Sequence, residues 1–184
     1  MNSKGVDWSE RLTAVILGDG ASAVVLQASD KPGIIDSKLC TDPSGYYGAY
    51  VPAGGTVEPI TVQSLRDHRQ YFKMDGKAIF DFATTAFPSI VTELLERNGM
   101  TIDDIDYIIP HQANINIINE SMKKLGTTLE KTYCNIDKYG NTGGSSVGIA
   151  LGEAMEKGII RKGHKIILVS FGAGLCWGAI LLEV

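Results

Sequence analysis

The chain has 184 residues, of which 44% are hydrophobic and 21% are charged, and its formal net charge is −4. This composition predicts one folded domain or slightly more and argues against disorder, while the negative charge argues against a duplex-binding surface. No apolar run approaches the about 20 residues that span a bilayer, and the polar N-terminus lacks the apolar core of a signal peptide. The three cysteines (Cys40, Cys134 and Cys176) are widely spaced and odd in number. They indicate neither a disulfide framework nor a zinc motif, so we expect a reducing cytoplasm.

The first 30 residues predict a β-hairpin. Two apolar, β-prone runs, 13–17 and 21–27, are separated by Gly18-Asp19-Gly20. An Asp-Gly pair between such runs favours a hairpin, because both central residues tolerate positive φ. The same glycines could instead cradle a phosphate, but a phosphate loop requires a helix directly after it, and none is predicted here.

Residues 33–39 predict a further strand, and residues 40–75 are then interrupted repeatedly by glycine and proline. A long irregular segment inside a domain is either a binding loop or lid, or a plain surface loop, and the sequence leaves both open. From residue 76 apolar residues recur at helical spacing until Asn98-Gly99, a typical helix end. Pro88 lies inside this pattern, so we expect it to kink or break the helix.

The rest of the chain alternates between helical and strand patterns. Thr101 resembles an N-cap, with acidic residues in the turn that follows it. The predicted elements are a strand at 107–109, a helix at 114–125, a short strand at 131–135, a helix at 145–157 and a final hairpin of 165–171 with 177–184. This order predicts an α/β fold whose sheet is mainly parallel, with helices on its faces and an antiparallel hairpin at its edge.

Three turns at the ends of these strands carry polar groups that point to chemistry. His111 follows the strand at 107–109, where open α/β sheets place their ligands, and Asn141 lies in a glycine-rich turn 30 residues later. Imidazole and carboxamide are uncharged donors, and two such donors at one point form an oxyanion site. The turn Gly172-Ala173-Gly174 can add backbone N–H groups, although a tight hairpin turn also fits it. We expect the three turns to stabilise negative charge on carbonyl oxygens. No cysteine lies at a helix N-terminus, so the chain shows no activated thiol.

Three motifs in order resemble the β-ketoacyl-[acyl-carrier-protein] synthase III family: Pro110-His-Gln-Ala-Asn114, Gly140-Asn-Thr142 and the stretch from Phe171 to Ala179. Gly18-Asp-Gly-Ala21 followed by Val24-Val25-Leu26 resembles the end of that family's N-terminal half. The resemblance implies a thiolase-like α/β fold, with a layered mixed sheet and helices on both faces, of which this chain is the C-terminal half. It divides the chain into a terminal hairpin of the N-terminal half (1–30), a loop-rich segment with a channel-lining helix (31–94) and a C-terminal condensing domain (95–184).

The resemblance also implies an activity, namely the decarboxylative Claisen condensation of acyl-CoA with malonyl-carrier protein in fatty acid biosynthesis, without a cofactor or metal. His111 and Asn141 would hold the malonyl thioester carbonyl, the Ala173 N–H would hold the acyl oxyanion, and Phe171 would pack beside the nucleophile. The positions matching the family's substrate channel are Gly76, Phe80, Ala113 and Asn114. The family's nucleophilic cysteine belongs to the N-terminal half. This chain is therefore expected to be a fragment that is inactive alone, from a full-length protein that forms a homodimer.

Two positions depart from the family and put docking of an acyl carrier protein in doubt. Asn116 and Asp81 stand where the family commonly has basic residues, and losing positive charge slows capture of an acidic partner. Lys123 and Lys124 could compensate, although a solvated helix face is the simpler role for them. Two alternatives stay open: a non-catalytic partner subunit that binds acyl-pantetheine, and a related condensing enzyme of secondary metabolism. Neither nucleic acid nor a membrane is expected as a partner.

Overall fold

The computed structural model describes residues 2–31 and 33–184. Met1 and Pro32, which fall within the predicted segments 1–30 and 31–94, lie outside the described residues. The helices are α1 (Arg11–Ala14), α2 (Val62–Arg66), α3 (Gly76–Arg97), α4 (Ile115–Lys124), α5 (Ile136–Tyr139) and α6 (Ser146–Glu156). The strands are β1 (Ile34–Thr41), β2 (Ala49–Tyr50), β3 (Lys73–Met74), β4 (Tyr107–Pro110), β5 (Lys165–Gly172) and β6 (Cys176–Glu183).

Four of the strands form one mixed sheet in the order β1-β6-β5-β4, in which only β4 and β5 are parallel. The predicted mainly parallel sheet with a hairpin at its edge is therefore wrong. β1 pairs along the outer side of β6, from Ile34 opposite Leu182 to Thr41 opposite Cys176. A strand edge leaves unpaired N–H and C=O groups, and β1 covers them. The predicted strand at 131–135 is also wrong, since it is reduced to one parallel bridge between Ile108 and Thr132.

Helices pack on both faces of this sheet, as predicted. Ile108 and Ile167 face a core formed with α3 and α4, whereas their neighbours Ile109 and Ile166 face a second core formed with α6. Alternate residues of a strand point to opposite faces, and helices cover both faces of this sheet. All four side chains are therefore fully buried. A strand covered on both sides is apolar at successive positions, which explains the runs Ile108–Ile109 in β4 and Ile166–Val169 in β5. Each such isoleucine contributes about 1.5–3 kcal/mol through burial.

The long core helix α3 runs through Pro88 without a break. Proline lacks an N–H, so the Thr84 carbonyl one turn earlier loses its helical donor. The Lys124 ammonium of α4 donates to that carbonyl at 2.9 Å and so replaces the missing bond. By length and mean hydropathy (22 residues and 1.3), α3 could also cross a bilayer, which the sequence had not indicated. Half of the most apolar stretch of α3 is buried within the protein, where it packs against the sheet and α4. We therefore read α3 as a core helix.

The predicted N-terminal hairpin is wrong. Residues 11–14 form the short helix α1, and no strand of the described chain pairs with residues 21–29. Val25 of that segment is 97% exposed. Leu17 instead forms a parallel bridge with Asn141, and the Gly18 N–H donates to the Asn141 carbonyl at 2.8 Å. The Asp-Gly signal is local, whereas a strand needs a partner, and the partner chosen here is the turn around Asn141.

Candidate active site

One cavity of about 1160 Å³ is lined by every site residue that the sequence predicted. These residues are His111, Asn141, Phe171, Ala173, Gly76, Phe80, Ala113 and Asn114. Within the part of the chain that the structure describes, the cavity wall contains no Asp, Glu, Lys or Arg. The site is therefore an open cavity whose described wall is mainly apolar, with a few uncharged polar side chains.

His111 extends the line of β4 into this cavity. Its backbone N–H donates to the Val169 carbonyl at 2.8 Å, and its side chain is buried. Nδ1 lies 2.6 Å from the Ser146 hydroxyl, and the ring meets Phe171 edge to face at 5.4 Å between centroids. Burial lowers the pKa of His111 to about 4, so the imidazole is neutral at neutral pH. Nε2 has no protein partner among the described residues, which leaves it for a ligand.

Asn141 is placed by the N-terminal segment of the chain. Its backbone N–H donates to the Ile16 carbonyl and its own carbonyl accepts from the Gly18 N–H, both at 2.8 Å. The side-chain oxygen accepts from the Gly143 N–H at 2.9 Å, so the Nδ2 group is the part of the carboxamide left for a ligand. A Cβ at Gly18 would lie 2.0 Å from the Tyr139 carbonyl oxygen, so the close approach of the two segments requires glycine. Sequence reasoning missed this role, because only the tertiary pairing reveals it.

Gln112 joins the two donor-bearing turns, and sequence reasoning assigned it no role. Its side chain is 1% exposed, its amide nitrogen donates to the Pro110 carbonyl at 2.8 Å, and its amide oxygen accepts from the Asn135 N–H at 3.2 Å. Asn135 precedes α5, the turn of helix that leads directly to Asn141. The sequence offered one indication of this role: Gln112 is a long polar residue in a turn between two buried elements, where its amide needs hydrogen-bond partners.

The glycine turn between β5 and β6 forms the third part of the site. Leu175 and Asp42 exchange two backbone hydrogen bonds of 2.8 Å, which tie the tip of this hairpin to the end of β1. Ala173 is exposed to the cavity, and its N–H has no backbone partner among the described residues. The turn can therefore offer this N–H to a ligand oxygen.

The predicted channel residues come from two helix starts. Gly76 is the first residue of α3 and Phe80 lies one turn later, while Ala113 and Asn114 immediately precede α4. Asn114 caps α4 by accepting from the Asn116 N–H at 2.8 Å. All four residues line the cavity.

No described thiol has the surroundings of an activated nucleophile. Cys40 and Cys176 line the cavity, but neither hydrogen-bonds to His111, and the polar neighbour of the Cys176 sulfur is the Thr41 hydroxyl at 3.5 Å. Burial raises the pKa of Cys134, which disfavours its thiolate. Among the described residues, therefore, no thiol accompanies the donors of the three turns as an activated nucleophile.

The structure shows what surrounds the positions at which docking of a carrier protein was doubted. Asp81 pairs with Lys77 one turn before it, and Asn116 is exposed and uncharged. Lys124 caps the carbonyl left open by Pro88, whereas the side chain of Lys123 makes no ion pair or hydrogen bond among the described residues. Of the two compensating lysines suggested by the sequence, Lys123 is the one that the fold does not use.

Comparisons with known proteins identify the family that this chain resembles. The family model described as "3-Oxoacyl-[acyl-carrier-protein (ACP)] synthase III C terminal" matches residues 95–184, and the model for 3-oxoacyl-[acyl-carrier-protein] synthase III matches residues 1–43. A β-ketoacyl-[acyl-carrier-protein] synthase III from Symbiobacterium thermophilum is 41% identical over 98% of the chain. The match covers 55% of that relative, so the chain spans about half the length of the relatives it matches.

Solved structures of similar proteins belong to the same class of condensing enzymes. The chain is similar to the 3-oxoacyl-(acyl carrier protein) synthase III of Pseudomonas aeruginosa PAO1, with a TM-score of 0.89 and 33% identity over 99% of this chain and 56% of that one. It is also similar to the priming β-ketosynthase of the R1128 polyketide biosynthetic pathway, with a TM-score of 0.81 and 27% identity over 99% of this chain and 55% of that one. The predicted thiolase-like α/β fold, with a mixed sheet and helices on both faces, is confirmed.

Proposed function

The chain belongs to the 3-oxoacyl-[acyl-carrier-protein] synthase III family, and from this premise we propose that it supplies the C-terminal portion of a decarboxylating Claisen-condensing enzyme. The reaction would join an acyl group from acyl-CoA to the two-carbon unit left when malonyl-carrier protein loses carbon dioxide, as in fatty acid biosynthesis. The observation that supports this proposal is that His111, Asn141 and the Ala173 turn all line one cavity, whose described wall carries no Asp, Glu, Lys or Arg.

The proposed roles follow from which atoms remain unpaired. The Nε2 of His111 and the Nδ2 of Asn141 donate to the malonyl thioester oxygen as the enolate forms. Both groups are uncharged, so they favour the developing oxyanion more than the neutral carbonyl of the ground state. The Ala173 N–H donates to the oxygen of the acyl thioester. Phe171 packs against the imidazole and keeps water from it.

The nucleophile in this proposal is a cysteine outside the described chain. The absence of an activated thiol among the described residues supports it, as does the coverage of only 55% of the Symbiobacterium thermophilum relative. In this view residues 1–30 complete an N-terminal half, residues 31–94 form a loop-rich segment with the channel helix, and residues 95–184 form the condensing domain. The chain is then inactive without that half, needs no cofactor, and acts in the cytoplasm within a homodimer of the complete protein.

One alternative, a related condensing enzyme of secondary metabolism, gains support from the surface that would bind the acyl carrier protein. Asp81 and Asn116 weaken the surface that would receive an acidic carrier protein. The likeness to a priming β-ketosynthase of polyketide synthesis favours a related enzyme of secondary metabolism. A partner subunit that binds acyl-pantetheine without chemistry is the further alternative, and loss of decarboxylation in every assay below would favour it.

The test measures acylation and decarboxylation separately, with the chain alone and with an N-terminal half supplied from the Symbiobacterium thermophilum relative. We expect the chain alone to be inactive and the reconstituted protein to be active. His111→Ala should then abolish malonyl decarboxylation while self-acylation persists. The matched control is His164→Ala, because His164 packs on Tyr107 away from the cavity.

Two results would overturn the proposal. One is turnover by the chain alone, which would require a nucleophile among its own residues. The other is decarboxylation that survives His111→Ala in the reconstituted protein. Each assay is run with malonyl-CoA and with malonyl-carrier protein. A clear preference for the carrier protein supports the role in fatty acid biosynthesis. Little preference is expected from a weakened docking surface and supports the secondary-metabolism alternative.

A further inference from the structure

The proton of a neutral imidazole can sit on either ring nitrogen, and the proposed role of His111 works with only one of them. A donor aimed into the cavity must be Nε2–H, because Nδ1 is turned towards Ser146 at 2.6 Å. Which nitrogen carries the proton is set by the hydrogen bond that the other nitrogen makes. The partner of Nδ1 therefore decides whether His111 is a donor at all.

The Ser146 hydroxyl already has a donor of its own. The Gln112 backbone N–H donates to Ser146 Oγ at 3.1 Å, so one lone pair of this oxygen is occupied. Ser146 is 2% exposed, and buried hydroxyl protons find acceptors. Within the described ranges, no acceptor other than His111 Nδ1 lies within hydrogen-bond reach of this hydroxyl. The hydroxyl proton therefore points to Nδ1, which must be unprotonated to accept it.

We propose that Ser146 is a positioning residue that donates its hydroxyl proton to His111 Nδ1 and thereby fixes the imidazole proton on Nε2. This inference rests on the proposed role of His111 as a donor to the thioester oxygen. Ser146 is the first residue of α6, only five positions after Asn141. The Ser146 hydroxyl thus sets the tautomer of His111. It also links the turn of His111 to the start of α6, which lies just after Asn141.

The neighbouring serine supplies a matched control. The Ser145 hydroxyl donates to the Thr142 carbonyl at 2.7 Å and does not contact His111. Ser146→Ala and Ser145→Ala each remove one hydroxyl from adjacent positions of the same helix start. Only the first removes the partner of Nδ1, so a general loosening of this helix start affects both variants alike.

The direct test is ¹⁵N NMR of the chain with ¹⁵N-labelled histidine, in which the two tautomers give different patterns of protonated and unprotonated ring nitrogens. We expect Nε2–H for His111 in the wild type and in Ser145→Ala, and a substantial share of Nδ1–H in Ser146→Ala. Ser146→Thr keeps the hydroxyl and should restore Nε2–H. In the reconstituted protein, Ser146→Ala should lower decarboxylation about 10²-fold, the effect of losing one oxyanion donor, and leave self-acylation intact.

Nδ1–H in the wild type would overturn the inference, and this measurement does not depend on the folding of any variant. An unchanged tautomer in Ser146→Ala would overturn it as well. The spectra also separate this inference from the proposed function. If the reconstituted wild type fails to decarboxylate malonyl thioesters, the proposed function is wrong, while the tautomer of His111 still decides the role of Ser146.

Discussion

The buried neutral imidazole of His111 should make the stability of this protein depend on pH in a way that one substitution removes. An unfolded histidine titrates near 6.5, whereas burial lowers the pKa of His111 to about 4. Between these values the unfolded state binds more protons than the folded state. The free energy of unfolding therefore falls as pH drops from about 6.5 to about 4 and has no contribution from His111 to its slope outside that window.

The size of the effect follows from the two pKa values. A shift of one unit is worth about 1.4 kcal/mol, so the full loss is about 3 kcal/mol, of which about 2 kcal/mol is lost by about pH 5. Such a loss is a sizeable part of the about 5–15 kcal/mol that stabilises a typical domain.

Urea unfolding at about pH 7 and about pH 5 measures this term as a double difference. The wild type should lose about 2 kcal/mol more than His111→Gln between the two pH values, because carboxylates elsewhere contribute equally to both proteins. Ile117→Val is the control, since Ile117 is a buried cavity-wall residue that cannot titrate. It should lower stability at both pH values and keep the wild-type dependence. Equal losses in the wild type and His111→Gln would refute a histidine held neutral by burial.

Three further predictions concern the framework of the site. Lys124→Met should cost about 1–3 kcal/mol by uncapping the carbonyl that Pro88 leaves open, and less in a Pro88→Ala background, where alanine restores the helical N–H; equal costs in urea unfolding would disprove the cap. Gly18→Ala should cost about 1–3 kcal/mol by urea unfolding, because its Cβ meets backbone, whereas Gly144→Ala, which meets nothing within 4 Å, should cost far less. Gln112→Leu should accelerate hydrogen exchange at the Asn135 backbone amide, which donates to the Gln112 side-chain oxygen in the wild type. Unchanged exchange at Asn135 would count against this link between the two turns.

Patterns that depend on neighbouring residues predicted several individual elements of this fold correctly. The helical spacing after Gly76, the apolar run of β5 and the turn at His111 all correspond to elements of the structure. The same reasoning failed where a distant segment chose the pairing. Residues 21–27 look like a strand, but β-propensity describes the fit to a partner, and Leu17 pairs with the Asn141 turn instead.

The candidate site shows the same division. The sequence could nominate His111 and Asn141, because each was predicted to lie in a turn beyond a strand and each offers an uncharged donor. It gave no reason to select Ser146 or Gln112 as their supports. A serine at a helix start is a common local feature, and its contact with Nδ1 joins positions 35 residues apart. Supporting residues are defined by tertiary distance, which residue type and spacing do not encode.

The neutrality of the cavity wall is what connects this support to the proposed chemistry. A lysine beside the substrate would bind the malonyl carboxylate and stabilise the charge that decarboxylation must remove. Among the described residues the wall offers no such cation, and His111 is itself held uncharged by burial. The donors that remain act on the thioester oxygen, where charge appears as the carboxylate is lost, so their effect is concentrated in the transition state. Replacing the half-buried wall residue Ala113 with lysine should therefore tighten binding of a malonyl thioester while slowing its decarboxylation in the reconstituted protein. A faster reaction in that variant would show that a counter-ion assists the step and would contradict the argument from neutrality.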